Sequence, residues 1–150
     1  LTSAAIRSAI NVMTWNVNGL LDKIKRGAVL RAAHRADIDI LLLQETHLMG
    51  NRVPFLARAG FGCGYHSGFI RGSRGVGILL QTRLQFQNAQ TWHDKLGRYV
   101  GVSGTLGGTV VLMVCVYAPP SLSPEFTHIL RNLLINLPEG QIIRGGTSTE

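Results

Sequence analysis

Acidic residues are in short supply. Eight Asp plus Glu face 15 Lys plus Arg across 150 residues, for a formal charge of +7. Any carboxylate at the end of an apolar strand is therefore conspicuous. The basic excess favours polyanionic partners: nucleic acid, inositol phosphates or an acidic membrane face. An ordinary solubilising surface accounts for the same charge, because charge alone is weakly specific. Cysteine is scarcer still. Cys63 and Cys115 lie far apart, which excludes a zinc ligand set and a disulfide framework, and Cys115 sits inside an apolar run as a small buried hydrophobe. Long apolar runs are also missing: the longest, Val110 to Val116, is far short of the roughly 20 residues a membrane-spanning helix needs. Leu1 to Ile10 lacks the apolar stretch of a signal peptide. The histidines, His34, His47, His66, His93 and His128, have no metal-ligand spacing, and none forms half of a His–Asp pair. The glycine-rich stretch Gly72 to Gly77 is not followed by Gly-Lys-Ser/Thr and so is not a P-loop. No internal repeat or low-complexity linker breaks the chain.

What is present is a hydrophobic content of 45%, enough for one domain with a sizeable core. Leu1 to Ala9 has no pattern and reads as an irregular lead-in, with the domain occupying residues 10–150. Ile10 to Val17 is a strand with apolar residues on both faces, which implies burial on both sides, and Asn18-Gly19 is a turn. Asp22 to Ala36 is a helix whose stripe is Val29, Ala32, Ala33 and Ala36, extended back by Ile24. Ile38 to Leu43 is a continuous apolar strand. Strand, helix and strand within about thirty residues predict a right-handed crossover and parallel strands. Leu48 to Gly60 is a loop and short helix, with Pro54 in its first turn. Phe61 to Phe69 is irregular or a short strand, Arg71 to Gly75 a basic turn, and Val76 to Gln81 a strand. Leu84 to Trp92 alternates loosely, as an edge strand would, and Asp94 to Gly97 is a hairpin connection. Arg98 to Leu106 and Thr109 to Tyr117 flank the hairpin signal Gly107-Gly108, so the middle of the chain is antiparallel. Ser123-Pro124-Glu125 opens a second helix with the stripe Phe126, Ile129, Leu130, Leu133, Leu134 and Leu137. Pro138 to Gly140 stops it, and Gln141 to Arg144 begins a last strand.

The chemistry gathers at strand ends. The first strand stops at Asn16 and the second at Gln44-Glu45, and parallel neighbours would bring Asn16 and Glu45 to one carboxyl edge, where open α/β sheets bind ligands. One carboxylate and one amide oxygen make a corner for a hard cation, since Mg²⁺ takes one or two protein carboxylates and keeps several waters. The plainer alternatives are a carboxylate marking where the strand meets water, and an asparagine shaping a turn. Asn18, directly before Gly19, has the stronger claim to the turn, which leaves Asn16 freer to point into a site. Tyr117, at the end of the longest strand, could donate its hydroxyl to a phosphate oxygen or simply pack as a half-buried aromatic. Arg71 and Arg74 could meet phosphates, and a solvated loop explains them equally well.

Five segments occur in order: Thr14 to Leu20 (TWNVNGL), Leu43 to Leu48 (LQETHL), Arg74 to Leu79 (RGVGIL), Gly97 to Val100 (GRYV) and Val116 to Pro119 (VYAP). Together they resemble the endonuclease–exonuclease–phosphatase superfamily, in particular the endonuclease domain of LINE-type (non-LTR) retrotransposon polyproteins. The resemblance runs from about Ile10 to Gly146. It implies an α/β four-layer sandwich, two mixed β-sheets face to face with helices outside. It implies Mg²⁺-dependent (or Mn²⁺-dependent) hydrolysis of a phosphodiester, nicking target DNA. By position, Glu45 and Asn16 would serve the metal, Asn16 would also position the phosphate or the attacking water, and Tyr117 would hydrogen-bond a phosphate oxygen. The partner it implies is DNA, with no membrane; the chain is expected to be a monomer, in the nucleus or cytoplasm.

The family pattern Gly-Asp-Phe-Asn is not met: Gly146 fits the glycine, Thr147 takes the place of the aspartate, and Ser148-Thr149 replace the next two. The expectation is an N-terminal portion of the domain, its second half incomplete and its later catalytic motifs absent, and hence a chain inactive by itself. Two other readings stay open: a non-catalytic remnant that binds nucleic acid or phosphate, and a phosphatase or lipid phosphodiesterase of the same fold.

Overall fold

The computed structural model describes residues 9–52, 56–118, 124–135 and 141–148. Pro54, Ser123, the stop at Pro138 to Gly140, and all of the lead-in before residue 9 lie outside them. β1 (Val12–Asn16) leads through α1 (Lys23–Arg35) to β2 (Ile40–Gln44), and the two strands pair in parallel, Val12 opposite Ile40 and Asn16 opposite Gln44. β3 (Phe61–Ser67) and β4 (Val76–Gln81) complete a mixed sheet in the order β1-β2-β4-β3, in which β4 runs antiparallel to both neighbours. After a 3-10 turn at Thr82–Leu84, the second sheet follows from β5 (Gln87–His93), β6 (Tyr99–Leu106), β7 (Thr109–Ala118) and β8 (Gln141–Ser148), in the order β5-β6-β7-β8. α2 (Pro124–Ile135) carries the crossover from β7 to β8, which pair in parallel. Among the described residues no helix is long and apolar enough to cross a membrane.

Period-two patterning assembles the layers. On β2, Leu41 and Leu43 point to α1 and pack with Val29, Leu30, Ala33 and Leu79; Ile40 and Leu42 point the other way and join Val76, Ile78, Val100, Val102, Met113 and Cys115 between the sheets. A strand buried on both faces must read as an unbroken apolar run, and Ile40 to Leu43 does. On β6 the inward Val100 and Val102 alternate with outward Tyr99, whose ring meets that of Phe126 on α2 at 6.5 Å. Helix, sheet, sheet, helix is the four-layer α/β sandwich that the resemblance implies.

Three sequence expectations need correction. β1 is shorter than Ile10 to Val17 and is an edge strand, with Ile10 and Val12 exposed. Apolar residues on both faces therefore do not mean two buried faces here: Met13 and Trp15 pack against the α1-side core, while Val12 on the other face stays exposed. The buried stripe of α1 is Gly27, Val29, Leu30 and Ala33, whereas Ile24 is 80% exposed and Ala32 and Ala36 face solvent. Counting alanines misplaced the face; Leu30, fully buried, defines it. The helix start stands: the Asp22 carboxylate accepts the Ile24 N–H at 2.7 Å and the Lys25 N–H at 3.0 Å. Those bonds, the one to Lys25 foremost, hold its pKa below the usual aspartate value. β8 runs on through Gly145-Gly146-Thr147 to Ser148, past the Gln141 to Arg144 segment, because the parallel ladder with β7 carries it. Of the second helix's stripe only the Phe126 side chain is described, and it is buried.

Candidate functional site

The ends of β1 and β2 are zipped beyond their strands. The Val17 N–H donates to the Gln44 carbonyl at 3.0 Å, the Gly19 N–H to that of Glu45 at 2.7 Å, and the Leu20 N–H to that of Thr46 at 2.8 Å. On the other side Thr46 and His47 donate to the Gly75 and Arg74 carbonyls at 3.0 and 2.7 Å. Between these two seams Glu45 is held at φ +54°, in the left-handed region, as is His47 at +60°. Such a conformation costs a non-glycine residue about 1–3 kcal/mol and persists only where its surroundings over-determine it. The Glu45 side chain that results is half-buried and has no hydrogen-bond or ion-pair partner among the described residues.

Two glycines and a buried histidine build the seam. A Cβ on Gly75, at φ +95°, would overlap Thr46 Oγ1, so only glycine lets β4 begin this close to Glu45's loop. Thr46 Oγ1 lies 2.7 Å from His66 Nε2, and His66 Nδ1 lies 2.7 Å from the Gly50 carbonyl. A carbonyl only accepts, so Nδ1 carries the proton, and the Thr46 hydroxyl donates to Nε2. Burial, partly opposed by the Gly50 carbonyl, holds the pKa of His66 below its ordinary value, so it is a neutral strut. Gly68 packs against the same loop, where a Cβ would stand 2.6 Å from the Leu48 carbonyl oxygen.

The second sheet is aligned to this rim through Cys115 and Gln44. Cys115 Sγ lies 3.2 Å from the Leu43 carbonyl oxygen and 3.4 Å from Gln44 Nε2, which also donates to Thr14 Oγ1 at 2.7 Å. Burial pushes the Cys115 thiol up to about 12, so it stays protonated and serves as a packing and hydrogen-bonding group. Gln44 Oε1 is buried with no partner among the described residues. Two residues past Cys115, on the same face of β7, comes Tyr117, packed at the end of the inter-sheet core. Its N–H donates to the Arg98 carbonyl at 2.7 Å, and Arg98 is itself tied to Asp94 at 2.7 Å. The carboxyl ends of β1, β2 and β7 thus share one rim, and Asn16, Glu45 and Tyr117 all stand on it.

Asn16 behaves differently from its expected part. Its Oδ1 accepts the Asn18 N–H at 3.1 Å, so both asparagines shape the turn, Asn18 through φ +46° and Asn16 through its side chain. The amide Nδ2 is left as a donor, and Oδ1 keeps one lone pair. Among the described residues no group of three or more His, Cys, Asp or Glu could hold a metal ion. The donor set at the rim is one carboxylate with no partner among the described residues and one amide oxygen, both hard oxygens. Such a set fits a largely hydrated Mg²⁺ or Mn²⁺ and does not fit zinc. Arg71 is exposed and Arg74 is not: its guanidinium stacks 4.7 Å from the Phe69 ring centroid and donates to the Leu96 carbonyl at 3.3 Å. Sequence reasoning missed Gln44, Thr46, His66, Asp94 and Arg98. Their roles depend on partners 20 to 71 residues away in sequence for Thr46–His66 and Gln44–Cys115, which no local pattern reveals.

A model of the Endonuclease/Exonuclease/phosphatase family matches residues 13–144, and the chain belongs to that family. Among solved structures it is similar to a humanized D. rerio TDP2 carrying 14 mutations (17% identity, TM-score 0.65, 91% of this chain and 65% of that one). It is similar also to the endonuclease domain of TRAS1, a telomere-specific non-LTR retrotransposon (15%, TM-score 0.62, 92% and 58%), and to the AP endonuclease LMAP from Leishmania major (22%, TM-score 0.58, 81% and 44%). At these identities the likeness is one of fold. The chain spans less than two thirds of the length of each of these structures.

Proposed function

We propose that the rim of Asn16, Glu45 and Tyr117 is the metal- and phosphate-holding part of a Mg²⁺-dependent DNA phosphodiesterase, of the kind that nicks target DNA for retrotransposition. The observation that carries the reading is Glu45: a carboxylate with no partner among the described residues, fixed at φ +54° by hydrogen bonds on both sides, at the rim shared by three strand ends. Backbone strain at such an acid is what a preorganised ligand requires and what a surface glutamate does not.

In this reading Glu45 would hold a Mg²⁺ or Mn²⁺ ion, with Asn16 Oδ1 as a weaker neighbour. When bound, such an ion offsets negative charge on phosphoryl oxygens. Asn16 Nδ2 and the Tyr117 hydroxyl donate to phosphate oxygens, neutral donors that orient the diester without competing for the ion. Thr46 and neutral His66 hold the Glu45 loop rigid. The net charge of +7 draws the polyanion in. Among the described residues no histidine at this rim is hydrogen-bonded to a carboxylate, so they supply no general base. Acid–base help is worth about 10²–10⁴-fold, so these 150 residues bind DNA and turn it over at background rates. The segments LQETHL and VYAP, which resemble retrotransposon endonuclease domains, favour the DNA-nicking class over a lipid or small-molecule phosphodiesterase of the same fold.

The test is a supercoiled plasmid incubated with the chain in Mg²⁺, with an EDTA control. Retention of the plasmid that weakens with salt is expected, without EDTA-sensitive nicking. Absence of DNA binding would overturn the DNA reading. EDTA-sensitive nicking lost in Glu45→Ala would overturn the claim of background turnover.

A further inference from the structure

Beside the phosphate rim, three loops are pressed together backbone to backbone. The Gly75 N–H donates to the Gly97 carbonyl at 3.1 Å, and a Cβ on Gly97 would stand 2.9 Å from the Gly75 nitrogen and 3.1 Å from Phe69 Cβ. Gly68 meets the Leu48 to Gly50 backbone in the same way. With glycine at each crossing, the side chains are left to wall an open cleft of about 500 Å³, lined by Asn51, Phe69, Ile70, His93 and Lys95 among others. That volume lies within the range of small-ligand sites. Gly75, which donates to Gly97, also accepts from the Thr46 N–H at 3.0 Å, so these loops tie the cleft to the residue that follows Glu45.

Its chemistry is mixed in a particular way. Ile70 is 61% exposed and nearby Met49 60%, large apolar groups left in water. Phe69 offers a ring whose one face is already covered by the Arg74 guanidinium at 4.7 Å, and His93 adds an exposed imidazole. Lys95 and, next in sequence to lining residues, Arg52 and Arg71 are exposed cations. The one acid of the lining, Asp94, is neutralised by Arg98 at 2.7 Å and accepts from Ser67 Oγ at 3.1 Å. Flat and apolar surfaces flanked by exposed cations with no ion-pair partner among the described residues, with the acid silenced, complement a planar base on a phosphate chain. A peptide partner would leave the cations without use, and a phosphate alone would leave Ile70 and Met49 without use.

We infer that this cleft is a nucleotide-base subsite that takes an unstacked base flanking the phosphate held at the rim. The inference rests on the proposed phosphate-holding function. It extends that function from charge recognition to selection for DNA whose bases are available, single-stranded or locally opened.

The test uses the full 150-residue chain and two fluorescent probes of equal length and charge, a single-stranded oligonucleotide and a chain of abasic spacers with the same phosphates, with the same strand in a duplex as a third probe of twice the charge. Fluorescence anisotropy at fixed salt should show the base-bearing single strand bound at least about five-fold tighter than the abasic chain, the scale of one stacked base. Binding of the duplex, whose bases stay stacked, should be unchanged in Ile70→Ala and His93→Ala. Ile70→Ala and His93→Ala, both at exposed positions, should each remove most of that advantage with an unchanged melting temperature. Ile24→Ala, on the far side of α1, should leave it intact. Equal binding of the single strand and the abasic chain would overturn the subsite while leaving the phosphate-holding reading in place. Absence of binding to any probe would overturn both. An advantage for bases that survives in Ile70→Ala and His93→Ala would place the subsite elsewhere and refute this one.

Discussion

Replacing Gly75 by alanine should separate two costs that the structure stacks at one residue. Gly75 sits at φ +95°, where an L side chain costs about 1–2 kcal/mol. Its new Cβ would also overlap Thr46 Oγ1, forcing that hydroxyl off His66 Nε2 and leaving a buried acceptor unpaired, worth about 1–3 kcal/mol. The total is about 2–5 kcal/mol, or roughly 4–20 °C in melting temperature for a chain of this size. Gly72 is the internal control: at φ +84° it shares the backbone cost, but its Cβ would meet nothing within 4 Å, so Gly72→Ala should lose only about 2–8 °C. Thermal and urea unfolding followed by circular dichroism read both. In a Thr46→Ala background the overlap disappears, and Gly75→Ala should fall to the cost of Gly72→Ala. If Gly75→Ala costs no more than Gly72→Ala in the wild-type background, the Thr46–His66–Gly75 seam does not hold the Glu45 loop as argued.

The other expectations are smaller. Burial holds the His66 pKa below its ordinary 6.5, so the folded chain resists a proton that the unfolded chain accepts. Stability is therefore fully present above about pH 6.5 and lost as pH falls through the folded pKa; urea midpoints from pH 7.5 to 5 should drop less in His66→Gln than in wild type. Leu30→Ala empties the fully buried centre of the α1 face and should cost about 2–5 kcal/mol, whereas Ile24→Ala should cost almost nothing, by the same unfolding assay. Cys115, fully buried and held protonated by a pKa near 12, should not react with a thiol reagent until the chain unfolds, while partly exposed Cys63 reacts natively; quantitation with and without denaturant decides this.

The elements legible in the sequence were those whose pattern is local. The crossover of β1, α1 and β2 followed from spacing, and the β6–β7 hairpin from Gly107-Gly108, whose register pairs Leu106 with Thr109. The edge position of β1 was not legible, because strand order is a property of the assembled sheet and Val12 looks alike in either setting. The α1 face was misjudged where alanine, small enough for either environment, outweighed Leu30. At the site, the strand ends placed Asn16 and Glu45 on one rim, and a single hydrogen bond, Asn18 N–H to Asn16 Oδ1, altered what Asn16 can offer. Glu45's positive φ could not be read ahead: it arises from seams to Gly19 and Arg74, one on each side, and glutamate itself has no preference for that region.

The central claim is that Glu45 is a preorganised metal ligand. Titration of the chain with Mn²⁺, followed by the electron paramagnetic resonance of free ion, tests it without need of turnover. One Mn²⁺ per chain is expected, displaced by excess Mg²⁺ and weakened at least about ten-fold in Glu45→Gln, whose melting temperature should stay the same or rise. Binding of equal strength in Glu45→Gln, or none in the wild-type chain, would contradict it.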